Sequence, residues 1–305
     1  MTMEVLGVLP PDFDDSSDVF TTRGGLLRRL WQYARSHPLF VFGSVIVLVS
    51  FFLAAFAPFV VPYNPVQANA NAVLVAPSAS HWFGTDNAGL DVFSRTLAAT
   101  RIDVTVALVA TLIALILGSV IGLLASFYEG VLGEIVMRTA DVVQAFPLFV
   151  LAMIIVTTAG DSLVALVFVI AFLNTPIFIR LMRSQVLSMK HRSFIDAARV
   201  IGNRERVIAF RHVLWNCLEP GLIQASVTVG FAILLTAGLS FLGAGVQPPT
   251  AEWGSMISSG SNGLILGEWW PSVFPGIMMS VAILGFAIVG EGLQDLLIRG
   301  DDYGG

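Results

Sequence analysis

Apolar residues in this chain run in long blocks, and charge, proline and glycine collect between them. Leu39 to Val61 is the first block, long enough to cross a hydrocarbon core of about 30 Å. Its Ala55-Phe56-Ala57 ending mimics a signal-peptidase site. The block is nevertheless longer than the apolar core of a cleaved signal, and Pro58 occupies the junction, so it reads as a retained span. Further blocks fall near 104–127, 134–158, 162–181, 221–243 and 272–297. The pattern therefore predicts an all-α polytopic membrane protein with six transmembrane helices. Between the first two spans, residues 62–103 are rich in Pro, Asn, Ala and Ser and read as an outer loop. Gly118 and Gly122, four apart, let the second span approach a neighbour closely. Pro147 and Pro176 fall inside spans and are expected to kink or unwind them.

Composition agrees: 56% of residues are hydrophobic and 12% charged, against about 25% charged in soluble domains. The distribution of charge then orients the bundle. Eight of the 16 Lys and Arg lie between Arg180 and Arg211, against Asp196 and Glu205, so this stretch carries +6 in a chain of net −5. Lys and Arg beside span ends resist translocation, which places residues 182–220 in the cytoplasm. With six spans, both termini are then cytoplasmic, in a plasma (cytoplasmic) membrane. Only Arg95 and Arg101 fall in the outer loop. No exposed basic stripe is left for nucleic acid, whereas membrane lipid is an obligatory neighbour. Residues 1–22 are acidic and unpatterned, and Leu26, Leu27, Leu30, Trp31 and Ala34 line one face of a short amphipathic helix. The organisation expected is 1–38 tail and amphipathic segment, 39–61 first span, 62–103 outer loop, 104–298 five-helix core, and 299–305 cytoplasmic end.

Catalytic chemistry is hard to find. Cys217 is the only cysteine, and His37, His81, His191 and His212 are scattered, so no metal site is expected. There is no G-x-x-x-x-G-K-[ST] loop to cradle phosphates, and Lys190, the single lysine, follows Met189. No H-E-x-x-H or G-x-S-x-G occurs. The chain is not expected to be an enzyme or to carry a cofactor. A stand-alone secondary transporter is disfavoured, because acids in mid-span and internal repeats are missing. Arg138 and Asp141, three apart, are expected to pair on one helix face. Asn174, Thr175, Gln224 and Thr228 either line a water-filled path or hydrogen-bond within the bundle. Pro248-Pro249 reads as a stiff extended segment, and Trp253, Trp269 and Trp270 as interfacial anchors.

Within the basic stretch, Phe194-Ile195, Ala197-Ala198 and Val200-Ile201, then Val207-Ile208 and Phe210, recur at helical spacing around Gly202 and Asn203. The reading is two short helices joined at a glycine turn. Asp196-Ala197-Ala198, three residues, then Gly202 resembles the EAA loop of ABC importer permeases, with Asp196 for the usual Glu and Trp215 near a usual Pro. Three further stretches resemble the dipeptide, oligopeptide and nickel branch of that family. The first is His81…Gly84-Thr85-Asp86…Gly89-Leu90-Asp91…Arg95, with Leu90 for the usual Arg. The second is Arg138…Asp141…Phe146-Pro147, and the third runs from Ser240 through Gln247-Pro248-Pro249 to Glu252-Trp253-Gly254. The resemblance implies a type I importer permease fold in which the loop forms a coupling helix. Asp196, Ala197, Ala198, Arg199, Gly202, Arg204 and Arg206 would then meet an ATPase. It further implies a paralogous permease, two cytoplasmic ATPase subunits that bind ATP and Mg, and an extracytoplasmic substrate-binding protein. The implied cargo is peptide, with nickel chelate, glutathione or haem-like molecules as alternatives.

Overall fold

Proline and glycine decide where the apolar blocks break. The computed structural model describes residues 33–128, 130–160 and 162–298. The acidic tail and most of the amphipathic segment lie outside the described residues. The chain divides into a unit of residues 1–38, of which Tyr33 to Ser36 form a helical turn with His37 stacked on Tyr33, and a unit of residues 39–305. No named β-strand occurs among the described residues.

Helix α1 is Pro38–Val60 and α2 is Val92–Phe127. Helix α2 starts well before 104, so the loop is shorter than expected and the helix runs about 54 Å at 1.5 Å per residue. Its charged first half reads as loop in the sequence. Asp91 starts it, accepting from the Ser94 N–H at 2.8 Å, and Arg95 and Asp103 are buried against other segments.

The expected third span is broken. Helices α3, Val131–Ala145, and α4, Leu148–Ala159, meet at 97°. Pro147 has no N–H and forces Phe146 into extended backbone at φ −79°, ψ 144°. Pro176, by contrast, sits inside the continuous helix α5, Leu163–Met189. Helix α6 is Ser193–Val200, and α7 runs Glu205–Phe241 through a π-helical stretch at Ile208–Val213. The second half of the basic stretch is thus the start of a span. Helix α8, Trp253–Ser261, folds back into the bundle, and α9, Trp270–Ile298, closes the chain. Five helices are long and apolar enough to cross a membrane, six if the bent pair is one span.

The core forms around α2. An added Cβ at Gly118 would lie 2.5 Å from Phe178 Cβ, and one at Gly122 would lie 2.7 Å from Ile179 O. The expected close approach is real, and its partner is α5. Val106 and Ala110 of α2, Ile170 of α5, Ile233 and Leu235 of α7, Trp253 of α8 and Phe286 of α9 share one buried cluster.

Candidate functional site

The basic stretch folds into a lever. Ile195 and Ala198, three apart on α6, point inward into a cluster with Leu123 of α2, Met182 and Val186 of α5, and Ile208, Ala209, Val213 and Cys217 of α7. One short helix is therefore packed on the ends of three long ones. The opposite face is open: Asp196, Ala197, Val200 and Ile201 are exposed, the last two at 88% and 80%. Val200 and Ile201 thus leave apolar surface bare at the tip of α6.

The turn after α6 is fixed by hydrogen bonds. Gly202 takes φ 91° and its N–H donates to Arg199 O at 2.9 Å, while the Asn203 N–H donates to Ala198 O at 3.1 Å. These two bonds form a Schellman cap, and the left-handed position falls on glycine. Arg199 also makes bonds within the chain: its Nε donates to Glu205 Oε1 at 3.0 Å and its Nη1 to Asp196 Oδ1 at 3.1 Å. It staples α6 to the first turn of α7, and these bonds, that from Glu205 foremost, raise the guanidinium pKa. Arg204 and Arg206 stay exposed.

The motif residues of the first loop tie a knot. His81 Nδ1 lies 2.8 Å from Asp91 Oδ1, and Asp86 Oδ1 accepts from the Ala88 and Leu90 N–H groups at 2.9 Å. Thr85 Oγ1 accepts from Val75 N–H at 2.8 Å, and Arg95 Nη1 donates to Pro65 O and Pro249 O. Gly84 turns the chain against the Trp270 indole, whose Nε1 donates to Thr85 O at 2.9 Å. Gln247 Nε2 donates back to Gly243 O at 3.1 Å. These side chains close the loop onto the bundle.

The tryptophan reading needs correction. Trp253 is fully buried, with Nε1 donating to Thr96 O at 3.0 Å and its backbone N–H to Asp103 Oδ2 at 3.1 Å. Trp270 is buried too, and of the three only Trp269 stays largely exposed. An anchor at an interface would keep its N–H in water, whereas here the protein supplies the acceptors. Pro248–Pro249 is a cis peptide in a turn, not an extended rod.

The polar mid-span residues bond within their own helices. Asn174 Nδ2 donates to Ile170 O and Thr175 Oγ1 to Ala171 O. Thr228 Oγ1 donates to Gln224 O and accepts from Gln224 Nε2. The second of the two readings of these residues accounts for every bond they make.

Two charge arrangements escape the sequence pattern. Asp141 does lie near Arg138, at 4.0 Å, but its close partner is Arg180 of α5 at 2.7 Å. Glu252 is fully buried: its two oxygens accept from the Gly254 and Ser255 N–H groups, capping α8, and the buried Asp103 carboxyl accepts from the N–H of the next residue, Trp253. Burial pushes the Glu252 pKa up. A lone acid near the start of an apolar helix is the available signal for Asp103.

Comparison with known proteins follows the same lines. Residues 114–300 match the family described as binding-protein-dependent transport system inner membrane component, and residues 25–77 match the N-terminal TM domain of oligopeptide transport permease C. The probable D,D-dipeptide transport system permease protein DdpC of Escherichia coli (strain K12) is 36% identical over 276 residues, covering 90% of this chain and 92% of its own. The dipeptide transport system permease protein DppC of Alkalihalophilus pseudofirmus is 38% identical over 270 residues, 88% of each chain. The glutathione transport system permease protein GsiD of Pectobacterium atrosepticum is 34% identical over 272 residues, 88% of this chain and 90% of its own. A helical bundle with five or six candidate spans, an exposed short helix seated on three of them, and similarity over most of its length together identify the chain as a member of the ABC importer permease family of binding-protein-dependent transport inner-membrane components.

Proposed function

We propose that this permease subunit couples ATP hydrolysis by partner subunits to import of short peptides. The observation that carries the reading is the seating of α6: Ile195 and Ala198 bind it to α2, α5 and α7, while Asp196, Ala197, Val200 and Ile201 face outward. The partners are a paralogous permease, with which it forms the path, two cytoplasmic ATPases and an extracytoplasmic binding protein. ATP and Mg are held by the ATPases, and this chain contributes no catalytic group. Charge asymmetry supports the basic end, and with it both termini, on the cytoplasmic side of the plasma membrane. Peptide cargo is supported by the relatives, among them dipeptide and di/tripeptide permeases and a glutathione permease, glutathione being itself a peptide.

Closure of the ATPases shifts the helices only if the docked helix is held differently in the two states. Gly202→Pro tests this. Proline cannot take φ 91° and removes the N–H that Arg199 O accepts. The variant is expected to insert and to assemble, but to lose binding-protein-stimulated ATP turnover and uptake. Ala197→Glu, on the open face, should also insert and lose turnover and uptake, by weakening ATPase docking without touching the cap. Normal uptake in both variants would remove the coupling role from α6.

A further inference from the structure

A second feature lies beside the lever. Between the last turn of α2, the charged face of α3 and the last turns of α5 is an open cleft of about 590 Å³. Its lining includes Ser126, Glu134, Arg138, Asp141, Arg183 and Leu187. The volume is in the range of small-molecule sites. Charged side chains are costly against hydrocarbon, so a cleft with this lining opens onto water.

The bonds left unmade define what fits. Asp141 is engaged by Arg180 at 2.7 Å. Arg138 is 75% exposed and stands 3.9 Å from Glu134 and 4.0 Å from Asp141, beyond hydrogen-bond length. Arg183 makes no ion pair among the described residues, although its side chain lines the cleft. Ser126 is 2% exposed, and its Oγ has no hydrogen-bond partner although it too lines the cleft. The Arg183 guanidinium and the Ser126 hydroxyl are therefore uncommitted, and Arg138 and Glu134 are held by exposed ion pairs of 3.9 to 4.0 Å without a hydrogen bond. Guanidinium groups bind carboxylates in a two-pronged geometry, and Glu134 is the natural acceptor for an ammonium group. Glu134 and Asp141 disfavour a ligand that is anionic only.

We propose that this cleft is a binding site for zwitterionic short peptides, with Arg138, Arg183 and Ser126 Oγ taking the terminal carboxylate and Glu134 the terminal ammonium. The assignment rests on the importer reading and places the site on the cytoplasmic side, where released cargo leaves. Arg183 and Leu187 face the cleft from the same turns of α5 whose Met182 and Val186 seat α6. Occupancy and lever position thus act on one segment of helix. A phospholipid headgroup with phosphate and ammonium has the same chemistry, and the test separates the two sources.

The test uses the assembled complex, purified from its native membrane into nanodiscs of phosphatidylcholine and phosphatidylglycerol, with the binding protein omitted. Saturation-transfer NMR is recorded with dialanine, N-acetyl-dialanine and dialanine amide. Dialanine is expected to bind, and blocking either terminus to weaken binding at least about tenfold. Arg183→Gln should weaken it similarly, and the near-isosteric Ser126→Ala by a few-fold, with size-exclusion profiles unchanged. Equal binding of all three probes, or by Arg183→Gln and the parent, overturns the proposal. So does absence of dialanine binding in a complex that hydrolyses ATP and, reconstituted into vesicles with the binding protein, imports. In that last case the importer reading stands and only the cleft assignment fails. Native mass spectrometry supplies the lipid arm: phosphatidylethanolamine retained by the parent and lost in Arg183→Gln, without peptide binding, assigns the cleft to lipid instead.

Discussion

Trp253 is the side chain whose removal should be felt most. It is fully buried where α8 meets α2, within the main cluster, and its indole N–H donates to Thr96 O at 3.0 Å. Truncating a buried tryptophan to alanine costs about 3–5 kcal/mol through lost contacts and the cavity left behind. The indole hydrogen bond accounts for about 0.5–1.5 kcal/mol of this. Trp253→Phe keeps most of the ring and loses the donor, so it should cost about 1–2 kcal/mol, well under half the alanine value. At roughly 2–4 °C per kcal/mol for a chain of this size, Trp253→Ala should melt about 10 °C lower and Trp253→Phe about 4 °C lower. Fluorescence-detected size-exclusion after graded heating, in one detergent with fixed lipid, reads both shifts. Because the backbone N–H bond to Asp103 survives both changes, the comparison isolates the side chain. A fall of less than about 2 °C for the alanine variant would contradict a load-carrying indole, as would equal losses in the two variants.

Three other outcomes are expected. Gly118→Ala puts a carbon 2.5 Å from Phe178 Cβ, where about 3.5–4.0 Å is normal, so α2 and α5 must part by about 1 Å. The cost is about 1–3 kcal/mol, read in the same melting assay, and a neutral result would refute the packing. Glu252 has a folded pKa raised by burial from 4.5, so its contribution to stability is full below that value and is lost as pH rises through the folded pKa. Glu252→Gln should flatten the fall of the melting profile as pH rises above 4.5, and parallel profiles would exclude the carboxyl as its source. For Asp141 and Arg180, 2.7 Å apart, either Asp141→Arg or Arg180→Asp should lower the yield of folded protein, and the double exchange should recover it. Failure of the exchange to recover either single variant would show that the pair does not hold α3 to α5.

Much of this was legible because membrane helices are written in long apolar blocks. The ends of the first and last spans and the close approach at Gly118 and Gly122 follow from local rules that a bilayer enforces, and the glycine turn at 202 follows from helix capping. What was not legible depended on partners distant in sequence. Arg95, Arg101 and Asp103 made the start of α2 look like loop, because the cost of burying Arg95 and Asp103 depends on Pro65, Pro249 and Glu252, which local pattern cannot pair with them. Trp253 read as an interfacial anchor, yet Glu252, Trp253 and Gly254 all serve the interior. Glu252 caps α8, Trp253 buries its ring, and Gly254 lies so close to Ala237 O that an added Cβ would collide with it. Pro147 and Pro176 carried the same local signal and had opposite outcomes. At Pro176, Asn174 and Thr175 bond to carbonyls one turn back and Phe178 packs against α2, so the helix continues. At Pro147, Phe146 turns outward and the helix breaks.

The central claim is that this chain is driven by ATPases docked on α6. It is tested most directly by mass spectrometry of whatever co-purifies with the tagged full-length chain from its native membrane in mild detergent. Two ATPase subunits, a sibling permease and a binding protein are predicted, with the ATPases lost selectively when Ala197 is changed to Glu. Recovery of the chain alone or as a homo-oligomer, or ATPases retained undiminished by the variant, would contradict the account.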